Sequence, residues 1–371
     1  MSLMTQLRAN ARAARLLYQR LTARGDTQLD VLLRRIPQAV ALRAYRKLAY
    51  AVNDGVLQRL VTPARFRRFL ARHPRSLDGV FYVIVMPQTL HFLLPCLGLV
   101  AGDMQVVLLL NGARRWEADL LRERFPAMLQ FRVAALPNSS VGHGAMINLL
   151  LQNSAHDFGV LDHDLYLFDR TISQHLHFDD DDFLLCLYRD ASSDGRWVYP
   201  LTHFLYFRID VFKRLMARYG VGAQAYREVP APARGRLASI GLRDGATMKS
   251  YHVFYDTLHV LLALAYADGL GVTQLEPEGA GSVYHIGGTS IGTHHTKDLI
   301  HLYTHLRFLE MSGEPQLQRR YGAIAAPFST AEEVHAKLEG TAHDFHQVML
   351  VDQLIEKLQR QSSVEPHGPP P

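Results

Sequence analysis

The sequence predicts an α/β protein with a mostly parallel sheet flanked by helices, because strand and helix patterns alternate from about residue 78. Apolar, β-branched runs of strand length are separated by longer amphipathic segments. A basic helical region precedes this pattern, and further helical segments follow it. We therefore expect a basic N-terminal region (1–77), an α/β domain (78–312), a helical C-terminal extension (313–361) and an unfolded Pro-rich tail (362–371).

The predicted strands are apolar runs that end in polar residues. Asn111 follows the second run, and Asp162 and Asp164 follow the fourth. Ligands bind outside the carboxyl ends of parallel strands, so we expect these side chains to line one binding region with Gln88 and Asn138. The strands are VFYVIVMP (80–87), QVVLLLNGA (105–113), LQFRVAALP (129–137) and the run ending in VLDHD (160–164); the helices are HFLLPCLGLVA (91–101) with a break at Pro95, RRWEADLLRERF (114–125) and GHGAMINLLLQNSA (142–155).

Two aspartates, Asp162 and Asp164, lie one residue apart in the segment FGVLDHDLYLFD (158–169). In extended backbone, residues i and i+2 point to one side, so both carboxylates project together. Carboxylates that close repel each other unless a cation or a shared proton lies between them. The pair therefore indicates a divalent metal site, a nucleophile and acid pair, or a solvated turn without chemistry.

Basic residues are concentrated at the start of the chain. Residues 1–75 contain 16 Lys and Arg against three acidic residues, a net charge of +13, so the overall +5 leaves −8 for the remainder. Helical spacing of their apolar residues, with breaks at Pro37 and Pro63, predicts amphipathic helices with Arg-rich faces. Such faces suit an anionic membrane surface, and the alternative is a solvated helical cap. We expect no nucleic-acid partner, because the sequence has no recognition motif and the remainder is acidic.

The composition is that of a globular protein, with 48% hydrophobic and 20% charged residues. No segment approaches the roughly 20 uninterrupted apolar residues of a membrane-spanning helix, and the start MSLMTQLRANARAAR lacks the pattern of a secretory signal. We therefore expect a cytoplasmic protein whose basic region, if it binds lipid, lies peripherally on the inner membrane face. Cys96 and Cys186 lie in apolar runs and are expected to be buried, reduced thiols.

The ordered segments between residues 80 and 170 resemble the nucleotide-sugar half of GT-A glycosyltransferases, especially the large family-2 type group. In that pattern a Gly and, six residues later, an Asn precede a strand with an Asp-x-Asp metal motif. Gly142, Asn148, Asp162 and Asp164 match these positions. The resemblance implies a GT-A (Rossmann-like) fold and transfer of a sugar from a nucleotide-sugar donor. Two later segments resemble those that shape the acceptor side and close the site: WVYPLTHFLYFRIDVFKRL (197–215) and GSVYHIGGTSIG (281–292).

The resemblance also implies roles for individual residues. Asp162 and Asp164 would bind Mn²⁺ or Mg²⁺, with His285 as a third ligand. We expect an inverting transfer to a glycan or lipid-linked acceptor, in which Asp256 accepts a proton; a retaining transfer would need no such base. The alternative for Asp256 is an N-cap of the apolar helix expected to begin there, and its substitutes as a base are Asp244 and Glu228. The residues expected to contact the donor are Pro87, Gln88, Asn111, Gly142, His143, Asn148 and Asp162.

Two positions depart from the family pattern. Neutral Asn111 stands where the family usually has an acidic pair that helps to hold the nucleobase and ribose. Ile147 replaces an Arg that can contact the diphosphate, so His143 or Lys249 would have to compensate. The donor nucleobase is therefore left open.

Two other function classes also stay open. LDHDLYLFD resembles the Asp-x-Asp pair of haloacid dehalogenase-like phosphohydrolases, in which the first Asp attacks phosphorus, although that motif normally lies on the first strand. The second alternative is a non-catalytic nucleotide-sugar-binding module. The helices after residue 296 are expected either to pack on the core or to pair with another copy in a homo-oligomer.

Overall fold

The computed structural model describes residues 36–73, 77, 79–192, 195, 197–242, 255–279, 281–287, 289, 299–339 and 346–364. Asp244, Lys249, the basic region before residue 36 and residues 365–371 of the predicted tail lie outside these ranges. The chain divides into two compact units. The larger unit comprises Ala49–Pro87 and Cys96–His285, and the smaller unit comprises Met1–Leu48, Gln88–Pro95 and Ile286–Pro371. The domain boundaries at residues 77, 312 and 361 stay predictions.

A seven-stranded sheet forms the centre of the larger unit. The described strands are β1 Phe81–Val85, β2 Val106–Leu110, β3 Leu129–Arg132, β4 Phe158–Leu161, β5 Leu165–Leu167, β6 Asp182–Cys186, β7 Arg189–Ala191, β8 Val198–Pro200, β9 Phe204–Phe207, β10 Gly271–Gln274 and β11 Val283–His285. The sheet order is β10-β6-β9-β4-β1-β2-β3. Strand β9 is antiparallel to both neighbours, and the other adjacent pairs are parallel. The predicted mostly parallel α/β architecture is therefore confirmed.

Helices alternate with strands from β1 to β4, whereas β4 to β9 follow one another without an α-helix between them. Strands β1, β2, β4, β6 and β9 are buried at every residue. Uninterrupted apolar runs such as VVLLL are typical of strands covered on both faces. The described α-helices are α1 Ile36–Val52, α2 Thr62–Arg72, α3 Leu90–Val100, α4 Arg115–Arg124, α5 His143–Asn153, α6 Ile209–Tyr219, α7 Arg234–Ser239, α8 His259–Ala267, α9 Leu299–Ser312, α10 Pro315–Tyr321, α11 Ala331–Glu339 and α12 His346–Val364.

The helix breaks predicted at Pro95 and Pro63 are wrong. Pro95 lies inside α3, where burial of the flanking apolar residues offsets the hydrogen bond that a proline removes. Pro63 lies in the first turn of α2, which continues directly from α1 through a π-helix, Asn53–Val61. The N–H of Thr62 donates to the carbonyl of Leu57, five residues earlier. This wider turn accommodates the proline ring without ending the helical run.

The loop between β3 and α5 is held at two points. Asn53 of the π-helix is fully buried, donates to Oγ of Ser139 at 2.9 Å and accepts from the N–H of Leu136 at 2.9 Å. Asn111, directly after β2, is also fully buried. Its amide donates to the carbonyl of Val141 at 2.9 Å and accepts from the Val141 N–H at 2.7 Å. These bonds fix the path of the chain into the N-terminus of α5.

In the smaller unit, α9 packs against α11 and α12. The Tyr303 hydroxyl donates to Asp352 at 2.7 Å, and Arg307 forms an ion pair with the same carboxylate at 2.9 Å. His305 is fully buried, and its Nε2 lies 3.1 Å from the carbonyl oxygen of Tyr321. The C-terminal helices are thus tied together by polar contacts as well as by apolar packing. Pairing with another copy stays a prediction.

Both cysteines are free and buried, as predicted. In the described part of the chain, no helix combines the length and the apolar character needed to cross a bilayer. The cytoplasmic location stays a prediction.

Candidate metal centre

Asp162 and Asp164 follow directly on β4, which lies between β1 and β9 inside the sheet. The predicted placement of the pair after the fourth strand is confirmed. The Asp164 side chain is 5% exposed, and the Asp162 side chain is 28% exposed. A carboxylate as buried as Asp164 needs a compensating partner, because removing a charge from water is costly.

A short antiparallel strand pair brings His285 to the aspartates. Strand β5 follows Asp164, and β11 pairs with it so that His285 lies opposite Leu165. Nε2 of His285 lies 3.4 Å from Oδ1 of Asp164 and 3.9 Å from Oδ2 of Asp162. One ligand atom from each of the three residues lies within 4.8 Å of the others. This Asp-Asp-His cluster, Asp162 with Asp164 and His285, could hold a metal ion.

The charges of the Asp-Asp-His cluster shift one another's pKa values. Burial and the charge of Asp164 raise the pKa of Asp162 to about 7, although His285 opposes the shift. Burial alone would lower the pKa of His285, but the hydrogen bond and charge of Asp164, with the charge of Asp162, raise it. Among the described residues, no lysine or arginine forms an ion pair with Asp162. A cation bound here would therefore displace protons that the cluster otherwise retains.

His203 adjoins the Asp-Asp-His cluster; it lies in the segment expected to shape the acceptor side (197–215), but contact with the metal ligands was not predicted for it. Its carbonyl accepts a hydrogen bond from the Asp162 N–H at 2.9 Å, which continues the pairing of β4 with β9. Its ring stacks on that of His285, with centroids 4.0 Å apart. Burial and the charge of His285 lower its pKa to about 3, although Asp164 opposes the shift. Its Nε2 is buried and has no hydrogen-bond partner in the described ranges.

His143, the first residue of α5, interacts electrostatically with Asp256 and His163. Burial lowers the pKa of His143 to about 4, with Asp256 raising it and His163 lowering it further, so the imidazole is neutral at neutral pH. Its Nε2 is buried, and the residues that the structure describes supply no hydrogen-bond partner. Buried polar atoms of this kind are commonly satisfied by water or by a ligand. His143 is therefore a candidate for ligand binding.

Asp256 does not cap a helix, and the helix does not begin there. Helix α8 begins at His259, and Leu258 occupies its N-cap position. Asp256 lies in the preceding turn, where its Oδ1 accepts a hydrogen bond from the Thr257 N–H at 2.8 Å. The helix-cap alternative is therefore wrong, and the role as a base stays a prediction. Its described substitute, Glu228, is exposed.

Two asparagines expected to contact the donor use their amides within the protein. Asn111 bonds Val141, as described above. Asn148 accepts from the Ala223 N–H at 2.6 Å and donates to Oε1 of Gln224 at 2.5 Å, which ties α5 to the segment after α6. Either side chain could contact the donor only if it gave up these hydrogen bonds within the protein.

Three further residues were expected to contact the donor, namely Gly142, Pro87 and Gln88. Gly142 is the N-cap residue of α5, and a Cβ there would lie 3.1 Å from the Tyr50 ring. Pro87 lies in the turn after β1. Gln88 begins a segment of the smaller unit, where its backbone is left-handed with φ 64°.

Residues 58–212 match a family model described as the StrH glycosyltransferase N-terminal domain. This range is less than half of the chain and contains Asp162, Asp164 and His203, whereas Asp256 and His285 lie beyond it. No curated protein matches the chain. The family match relates the sheet from β1 to β9, including both aspartates, to glycosyltransferases.

Proposed function

We propose that the protein is a metal-dependent glycosyltransferase that moves a sugar from a nucleotide-sugar donor to a glycan or lipid-linked acceptor. One observation carries the proposal: the Asp-Asp-His cluster forms at the carboxyl end of a strand within the region that matches a glycosyltransferase domain. Ligands of open α/β sheets bind at this edge.

The ligand atoms of the cluster suit Mn²⁺ or Mg²⁺. Both ions accept carboxylate oxygens, and imidazole is compatible with Mn²⁺. With metal–ligand bonds of about 2.1 Å, adjacent ligand atoms of an octahedral site lie about 3.0 Å apart and opposite ones about 4.2 Å. The separations of 3.4 and 3.9 Å from His285 to the two aspartates fall between these values.

A divalent cation at the cluster would supply Lewis-acid stabilisation for the diphosphate that leaves during transfer. Asp164 would be the most buried ligand, and Asp162 would assist through the cation, its waters or the ribose. His143 and backbone N–H groups at the start of α5 would donate hydrogen bonds to phosphate oxygens. Asp256 would accept the proton of the acceptor hydroxyl in an inverting transfer.

A thermal-shift screen of nucleotide sugars with and without Mn²⁺ tests the proposal, followed by an assay of nucleoside diphosphate release. We expect a nucleotide sugar to raise the unfolding temperature in the presence of Mn²⁺ and to be turned over. Binding without turnover would favour the non-catalytic module. An aspartyl-phosphate trapped with fluoride analogues would favour the phosphohydrolase. Nucleotide-sugar binding that is independent of Mn²⁺ would contradict the proposed metal dependence.

We expect His203→Ala to weaken Mn²⁺ binding roughly 10-fold, because the stacked ring orients His285. His203→Phe keeps a flat ring at this position and is expected to retain most of the affinity. Electron paramagnetic resonance titration of Mn²⁺ measures both variants. The exposed His175 provides the control, since His175→Ala removes an imidazole that is not among the ligands of the cluster. If His203→Phe lost as much Mn²⁺ affinity as His203→Ala, a ring nitrogen of His203 would be needed and stacking alone would not be enough.

The metal-free protein is expected to lose stability through Asp162 as the pH rises. The raised pKa of Asp162 means that the folded state keeps a proton that the unfolded state has released, so the free energy of unfolding falls between about pH 4 and pH 7. Asp162→Asn lacks this dependence. At pH 8 without metal, we expect Asp162→Asn to exceed the wild type in stability by about 1–3 kcal/mol.

Mn²⁺ should reverse this order at pH 8, because the wild type binds the ion with both carboxylates. Below about pH 4 the metal-free proteins should become similar, since Asp162 is then protonated in both states. Urea unfolding across this pH range measures the difference. Parallel pH profiles for the two proteins would contradict the prediction.

A further inference from the structure

We propose that the outer face of the π-helix and α2 binds the surface of an anionic lipid bilayer. Three aliphatic side chains on the π-helix face solvent: Val56 is 49% exposed, Leu60 71% and Val61 38%. Residues four and five apart lie about one turn apart in a π-helix, so the three form one apolar strip. Single exposed aliphatic residues are ordinary on protein surfaces, but three within one turn are not.

The orientation of the apolar strip is fixed from the opposite side of the π-helix. Asn53 is fully buried and bonds the loop between β3 and α5, as described above. Gln58 donates to the carbonyl of Ala134 at 2.9 Å. Because the inner face is committed to these bonds, the helix cannot rotate to bury Val56 and Leu60 without breaking them.

Exposed arginines close to the apolar strip in sequence have no acidic partner among the residues that the structure describes. We define the arginine row as Arg59, Arg65, Arg68 and Arg72, all of which are exposed. Across the described ranges, none of these four forms an ion pair or a side-chain hydrogen bond. Residues 36–73 contain eight Lys and Arg but a single acid, Asp54. Some exposed arginines elsewhere in the described part of the chain do pair with acids, namely Arg115 with Asp119, Arg214 with Asp210 and Arg218 with Asp268, whereas Arg227 and Arg319 do not.

The combination of the apolar strip and the arginine row fits an anionic bilayer better than other partners. Lipid phosphates neutralise arginines while the region below the headgroups accepts aliphatic side chains. A nucleic acid would engage the arginines and leave the apolar strip in water. A second copy of the chain, related by two-fold symmetry, would bring the arginine row against itself. This surface is separate from the Asp-Asp-His cluster and does not depend on the proposed transfer reaction.

Vesicle sedimentation with the full chain tests the proposal. We compare pure phosphatidylcholine vesicles with vesicles that contain about one third phosphatidylglycerol. The wild type should bind the anionic vesicles at least about 10-fold more tightly, and added salt should weaken this binding. The double variants Val56→Asp/Leu60→Asp and Arg65→Glu/Arg68→Glu should each lose at least about 10-fold in affinity.

Two controls carry single substitutions of the same kinds at exposed positions elsewhere. Val198 is 45% exposed on β8, and the Arg115 side chain is 95% exposed on α4. Val198→Asp and Arg115→Glu should therefore keep their vesicle affinity within about twofold of the wild type. Circular dichroism and the Mn²⁺ thermal shift show for each variant that the fold and the candidate metal site are intact.

Three results would overturn the proposal. The first is a wild type that does not bind anionic vesicles. The second is vesicle binding that the double variants retain in full, which would assign it to another surface. The third is a change of mass in light scattering for Val56→Asp/Leu60→Asp without a change in vesicle affinity, which would assign the apolar strip to contact between copies. Because the Mn²⁺ assay contains no lipid, failure here is distinguishable from failure of the proposed enzymatic function.

Discussion

Asp164→Ala is expected to abolish stabilisation by Mn²⁺ and to reduce sugar transfer at least about 100-fold. Asp164 has the most buried carboxylate of the Asp-Asp-His cluster and is the closest partner of His285. Its removal leaves one carboxylate and one imidazole, too few protein ligands to hold a labile divalent cation firmly. Titration with Mn²⁺ by thermal shift, and nucleoside diphosphate release at saturating donor, measure the two effects.

Asp119→Ala is the control for this prediction. Asp119 is 54% exposed on α4 and forms a surface ion pair with Arg122, so its loss should change Mn²⁺ binding and turnover by less than about twofold. If Asp164→Ala does not fold by circular dichroism, Asp164→Asn keeps the shape of the side chain and replaces it. A variant at Asp164 that folds and retains the full Mn²⁺ shift would show that the metal binds elsewhere.

The aspartate pair could be located from the sequence because its geometry is local. Their spacing keeps Asp162 and Asp164 together wherever β4 ends, but the structure holds them in a turn, with the Leu165 N–H donating to the Asp162 carbonyl at 3.3 Å, and not in the extended backbone that the sequence predicts. His285 was identified through the family resemblance, and the pairing of β11 with β5 explains how it reaches Asp164. The sequence places His203 in the acceptor-side segment, but its contact with the cluster depends on the register between β4 and β9, which residue spacing does not encode.

For Asn111, the local sequence pattern does not determine what the side chain binds. A polar residue at the carboxyl end of a buried strand suits a ligand contact, and the sequence predicts this role for Asn111. The same amide also suits a bond to a neighbouring loop, which is what the structure contains. The local pattern LLLNG is identical in both cases, so only the distance to Val141 distinguishes them.

Gly112→Ala is expected to lower the free energy of unfolding by about 2–4 kcal/mol. Gly112 has φ 81°, a left-handed conformation that alanine adopts only with strain. An added Cβ would also meet the backbone oxygen of Ser139. Ser139 belongs to the loop that Asn53 and Asn111 hold by hydrogen bonds. If Ser139 moved away from the added Cβ, these buried hydrogen bonds would be strained. Urea unfolding measures the loss.

Gly98→Ala is the matched control, because Gly98 lies on the exposed side of α3 with no atom within 4 Å of an added Cβ. Alanine favours the helix there, so we expect a gain of about 0.5–1 kcal/mol. The same substitution should thus change the free energy of unfolding in opposite directions at the two glycines.

In Gly112→Ala we also expect a lower Mn²⁺-dependent affinity for the donor, since the displaced loop leads into α5 and His143. A stable Gly112→Ala protein with unchanged donor affinity would show that the close approach of Ser139 to Gly112 is not needed for the fold or the site.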